Sequence, residues 1–263
     1  MRYTSRSDLK HLRAAARIAG QTCDTAIAAC LPGVNTLAID ALVNQTLASA
    51  RSSAPFKQYQ EGARRFGFAS CISLNDEVVN RPPSSEVVLQ TGDLISIALG
   101  AEIGGMHAKA ARTGYLLPTG VTTDPAQMPE TIRPLIRGVR SGFDTLKALP
   151  EAPASLGELL QVIPDAAKAH GVVVLENVGG CGTGKRLHEP PETPNQPTDD
   201  YFKVPLLAGT PLVLMPMMAL GTDAKTKAHE DGWTLVTQSG ELSAHWAETL
   251  LVTETGIELL TAS

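Results

Sequence analysis

Apolar residues recur at three- and four-residue steps near the start of the chain and at two-residue steps further on. That change of period separates helices from strands. From about Ser7 to Cys30, Leu9, Leu12, Ala16, Ala19, Cys23 and Ile27 form one helical stripe, and Ser5 with Asp8 has capping-box spacing. "LPGVNT" interrupts the stripe. Asn35 or Thr36 then caps a second helix carrying Leu37, Leu42, Val43 and Leu47, which "RSSAP" ends. Strands are expected near Phe66–Leu74 and Val87–Leu89. The stretch from Gly92 to Thr113 predicts a hairpin. Leu94, Ser96 and Ala98 alternate with Ile95, Ile97 and Leu99, and Gly104-Gly105 supplies the turn. In its second strand His107 and Lys109 lie two residues apart and share a face.

After the Pro/Thr-rich connector "LLPTGVTTDPAQMPETIRP" the pattern restarts. A helix is expected around Ile136–Leu149. Ser155 and Glu158 form a capping box for another through Leu159, Leu160, Ile163, Ala166 and Ala167. Strands follow in "GVVVLENV", "TPLVLMPMM", "WTLVTQ" and "AETLLVTETGIELL". Helix, proline turn, capped helix and strands thus occur twice. This weak repeat implies one domain, 1–263, with pseudo-symmetric halves at about 1–117 and 130–263. Helices on one face of a mostly antiparallel sheet define an α+β class, and a cleft between halves is a natural site.

The chain has 263 residues, 43% apolar and 19% charged, with a net charge of −5, so a core is available and there is no electrostatic pull toward nucleic acid or anionic membrane. No apolar run reaches the ~20 residues of a membrane helix, and the first residues lack a signal-peptide core. The four cysteines, Cys23, Cys30, Cys71 and Cys181, form no CxxC pair, which reads as reduced thiols in a cytoplasmic protein. "GGCGTGK" lacks phosphate-loop spacing, and Arg186 stands where Ser or Thr would follow the lysine.

"SDLKHLRAAARIA", "LPGVNTLAIDAL", "SCISLNDEVVN", "LQTGDLISI", "GGCGTGKRLHEPP" and the closing "HEDGWTLVTQSGELSAHWAETLLVTETGIELLT" together resemble the compact methionine aminopeptidases, in order and over nearly the whole chain. The resemblance implies the pita-bread fold, two pseudo-symmetric halves around a curved antiparallel sheet. It also implies two divalent metals held by two Asp, one His and two Glu. Those five positions fall on Ala98, Lys109, Cys181, Met215 and Ala247. Two have no donor atom, one is a soft thioether, one is cationic and one is a single thiol, so no metal and no other cofactor is expected.

The resemblance places His188 at a substrate-contacting position, where it is either an acid–base catalyst or a hydrogen-bonded structural histidine. Asn80 replaces the other substrate-facing histidine and cannot shuttle protons. Phe66, Cys71, Leu187 and Trp233 fall where the family holds the methionine side chain, and each is alternatively plain core. Arg64 and Arg65 are either a carboxylate clamp or solvated loop residues. Lys109 is a base, a Schiff-base amine or a carboxylate-binding cation, and Cys181 a nucleophile if Lys109 or His188 activates it. His107, Met215, His245 and Glu248 complete the expected binding set.

The first functional expectation is a metal-independent acid–base enzyme of small-molecule biosynthesis. It would act on an amino acid or similar amine by C–N hydrolysis or by amine–carbonyl condensation, a Pictet–Spengler-like closure included. The alternative is a non-catalytic pseudo-peptidase that binds peptide N-termini or a protein partner. A working metalloaminopeptidase ranks third. A small amine ligand, no nucleic acid, no membrane, and a monomer or homodimer complete the expectation.

Overall fold

The computed structural model describes residues 1–262. Four helices form, three of them at predicted caps: α1 (Arg6–Ala28), α2 (Thr36–Ser49) and α4 (Leu156–His170), with α3 (Arg133–Ala148) between the last two. Ser5 Oγ accepts from the Asp8 N–H at 3.4 Å, Asn35 Oδ1 from Ala38 at 2.9 Å and Ser155 Oγ from Glu158 at 3.2 Å. Each side chain satisfies an otherwise orphaned first-turn donor. α3 begins three residues before the expected start, because Pro134 is pre-set for a first turn. α4 ends at Gly171, whose φ of 66° is the left-handed cap that glycine takes without a Cβ clash.

The strands are β1 (Gln60–Glu61), β2 (Arg64–Arg65), β3 (Ser70–Leu74), β4 (Glu77–Val79), β5 (Leu94–Ile103), β6 (Met106–Leu117) and β7 (Gly120–Thr122) before α3. After α4 come β8 (Val173–Val174), β9 (Gly179–Gly182), β10 (Glu189–Pro194), β11 (Pro211–Leu214), β12 (Met217–Ala219), β13 (Thr226–Ala228), β14 (Leu235–Thr237), β15 (Ser243–His245), β16 (Glu248–Val252) and β17 (Ile257–Leu259). They pair antiparallel in short sheets, the longest ladders being β3-β5-β6-β7 and β10-β9-β11-β16-β17. A bridge between Ala111 and Ala247 links these two.

The β5–β6 hairpin pairs Ile103 with Met106 across Gly104 and Gly105, both at positive φ. Its two faces part as the pleat requires. Ile95, Ile97, Leu99 and Ala110 pack on α1 and α2, while Ala98 and Ala111 face the other way, toward Val213, Met215 and Ala247. A separate cluster joins α3 and α4 through Ile136, Val139, Ile163 and Ala166 to Val174 and Met218.

Three strand expectations change. The strand expected from Phe66 starts at Ser70, since Gly67 at φ 82° turns the chain first. Val87–Leu89 joins no sheet; its backbone bonds instead to Gly33, Val34 and Thr36 in the α1–α2 turn. "TPLVLMPMM" splits at Pro216, which has no N–H to donate, into β11 and β12. Among the described residues no helix is long and apolar enough to cross a membrane.

Candidate functional site

A cavity of about 1120 Å³ opens between the two long ladders. β3 brings Cys71 to it, β5 Ala98, β6 Lys109, β9 Cys181, and the β11–β12 segment Met215 and Met217. The Lys109 position is fixed from across the molecule. Its backbone N–H donates to Thr249 Oγ1 at 2.9 Å, and that hydroxyl donates back to the Lys109 carbonyl at 2.7 Å. β9 lies flat between β10 and β11, with Cys181 opposite Glu192 and Val213. Gly180 permits this approach, because a Cβ there would collide with the Val213 carbonyl.

At the cavity floor the Lys109 ammonium donates to Cys181 Sγ at 3.2 Å. Lys109 is 3% exposed, and burial pulls its pKa below the ordinary lysine range while the neighbouring sulfur works the other way. His188 lies in the bend before β10, its ring meeting the Tyr59 ring edge-on with centroids 5.4 Å apart. Crowding by the protein, then the positive charges of Lys109 and His107, pull its pKa down to about 4. More than a third of the residue is open to solvent, which softens the crowding effect but not its direction. His188 is therefore neutral at neutral pH, a hydrogen-bond partner or base rather than a proton donor.

Phe66, Leu187, Trp233 and Asn80 also line the cavity, as expected, with Asn80 at φ 66°. Phe66 meets Trp233 edge-on at 5.4 Å, and Tyr59 sits 6.2 Å from Trp233. Phe56 and Tyr59 complete this aromatic wall and were missed in the sequence, although in a chain with only 4% aromatics their place just before Phe66 was a usable signal.

Five expected site residues lie elsewhere. Arg64 donates to the Gly232 carbonyl at 2.7 Å and stacks on Trp233 from outside, and Arg65 donates to the Lys57 carbonyl at 2.7 Å. They anchor the β1–β2 hairpin instead of clamping a carboxylate in the cavity. His107 shares the Lys109 face, but its ring and its N–H are both held by the Gly184 carbonyl, at 3.0 and 2.7 Å. His245 is fully buried on β15 with neither ring nitrogen bonded. Glu248 is turned away by the pleat, accepts from Trp246 Nε1 at 2.8 Å and from the Thr261 hydroxyl, and pairs with the Arg112 guanidinium at 3.2 Å. Glu189 reaches the cavity wall with its carboxylate engaged by Tyr3 and the Arg186 N–H.

A hairpin-centred antiparallel α+β scaffold with such a cleft is the pita-bread fold, and the chain belongs to metallopeptidase family M24, whose pattern matches residues 10–254. It is similar to the methionine aminopeptidase of Clostridium acetobutylicum, 31% identical over 97% of this chain and 96% of that one. It is also similar to methionine aminopeptidase 1 of Bacillus subtilis, 32% identical over 97% and 96%. The crystal structure of the Thermotoga maritima methionine aminopeptidase superimposes with a TM-score of 0.88 at 28% identity, covering 100% of both chains.

These relatives overturn the first functional expectation. Proteins named as aminopeptidases give no support to a biosynthetic enzyme that condenses or hydrolyses a free amine, and none to a module that docks a protein partner. The family's metals are a question of this chain's own donors. Ala98, Lys109, Cys181, Met215 and Ala247 offer one thiol and one thioether around a cation. Among the described residues no three His, Cys, Asp or Glu side chains converge. That set does not fit a pair of divalent metals, which require several hard anionic donors.

Proposed function

We propose that the cleft receives the amino-terminal residue of a peptide, one with an apolar side chain such as the methionine in the relatives' name. The observation that carries this reading is the aromatic recess of Phe66, Trp233 and Tyr59 in a cavity whose lining also carries exposed carboxylates at Glu176 and Glu192. The ring faces suit a thioether or aliphatic chain, and a carboxylate suits the terminal ammonium. The cavity is larger than one residue needs, which leaves room for the peptide to run outward. The reduced cysteines fit a cytoplasmic setting.

Burying a methionine-sized side chain is worth roughly 1.5–3 kcal/mol, or about ten- to a hundredfold in affinity. A tripeptide beginning with Met should therefore bind that much more tightly than its Gly counterpart, and blocking the amino group should weaken both. Titration by Trp233 fluorescence and thermal shift measures this. Equal affinity for Met, Gly and blocked peptides would refute the reading.

A further inference from the structure

We propose that Cys181, activated by Lys109, is a covalent modification site for α,β-unsaturated carbonyl compounds entering the cavity. This proposal is separate from peptide binding and stands on the floor geometry. Lys109 is a nearly fully buried cation, and among the described residues Cys181 Sγ is the one group its ammonium bonds. Among the described residues no carboxylate forms an ion pair with it. A buried cation without an anion is unfavourable, and two states relieve it. Either the thiol gives its proton to the amine and the pair becomes thiolate and ammonium, or the amine stays neutral as a base 3.2 Å from the sulfur. Both states activate the same nucleophile.

Access separates this cysteine from the other three. Cys23, Cys30 and Cys71 are buried, and chiefly through burial the Cys23 and Cys30 thiols are pushed up to about 12 and Cys71 higher still. Cys181 is partly exposed and lines the cavity. In the reaction Lys109 accepts the thiol proton, and Sγ bonds to the β carbon of the electrophile. The π electrons move onto the carbonyl oxygen as an enolate, and the Lys109 ammonium returns the proton at the α carbon. The product is a simple adduct; no group leaves and no electron acceptor is needed.

Intact-mass and peptide-mapping kinetics with N-ethylmaleimide on the full chain at pH 6.5 test the pair. One fast adduct is expected, on Cys181 and absent in Cys181→Ser. Lys109→Met should slow it at least about tenfold. Should that variant fail to fold, the wild-type chain supplies the comparison: Cys181 should react at least about tenfold faster folded than in urea at the same pH. An unchanged rate in Lys109→Met, a folded rate at or below the unfolded one, or a first adduct on another cysteine would overturn the proposal.

Discussion

Replacing Arg112 with methionine tests whether the core beneath the cleft rests on a buried charge pair. Arg112 is 2% exposed. Its guanidinium donates to Asp24 at 3.1 Å and to the carbonyls of Ala111, Ala247 and Thr261 at 3.0, 3.1 and 2.8 Å. It also stacks 4.6 Å above Trp246 and lies 3.2 Å from Glu248. Methionine keeps most of the packing and removes the charge. The Ala111 and Ala247 carbonyls remain bonded to each other's N–H groups. Glu248, 4% exposed, is left as a buried anion with neutral donors alone. Breaking one side of such a pair costs about 3–5 kcal/mol. For a chain of this size that lowers Tm by about 6–20 °C. Adding Glu248→Gln to Arg112→Met should recover part of the loss, since removing both charges leaves no unpaired ion. Chemical denaturation of the four proteins closes the double-mutant cycle. A loss under ~1 kcal/mol for Arg112→Met, or a double variant at or below the sum of the singles, would show that the pair does not bind the fold together.

Acid sensitivity should trace to His245. Its pKa falls from 6.5 to about 4 through burial, with the Val78 backbone pulling weakly upward. A depressed folded pKa means the unfolded chain takes up the proton first. The stabilisation is complete above pH 6.5 and lost as pH drops toward 4, to a total of roughly 3 kcal/mol. Urea titrations at pH 7 and 4.5 should show that loss in the wild type and a smaller one in His245→Leu; equal losses would reject the assignment. Gly180→Ala should cost about 1–3 kcal/mol or misalign β9, because its Cβ meets the Val213 carbonyl and Thr193 Oγ1. An unchanged melting curve would contradict the β9–β11 packing. Tyr59→Ala should weaken binding of a Met-initiated peptide severalfold and leave Tm within a degree or two, as Tyr59 is exposed. Unaltered affinity would take Tyr59 out of the recess.

Local signals were legible where their cause is local. Ser5, Asn35 and Ser155 cap helices by bonds that span three residues, so their spacing together with the three- and four-residue apolar steps located α1, α2 and α4. Alternation placed the β5–β6 hairpin and set Lys109 on one face with His107, and the family resemblance turned that face toward the cleft. The misread residues are those whose fate depends on distant partners. Glu248 adjoins Ala247 in the chain, and nearness in sequence suggested a shared site. In a pleated strand, however, the next residue is the one turned to the opposite face, where Arg112 waits. Phe56 and Tyr59 were overlooked for a different reason. They sit in a short 3₁₀ turn and its exit, without a period of two or of 3.6 to betray an inward face. Long-range closure of the chain alone brings Tyr59 against His188, some 130 residues later by their numbering. The chemistry at the floor followed the same division. The residue types at Lys109 and Cys181 were visible as a cation and a thiol where the family resemblance implies a carboxylate and a histidine. Their 3.2 Å contact requires β6 and β9 to meet across the cleft, and that contact turns two odd substitutions into one reactive pair.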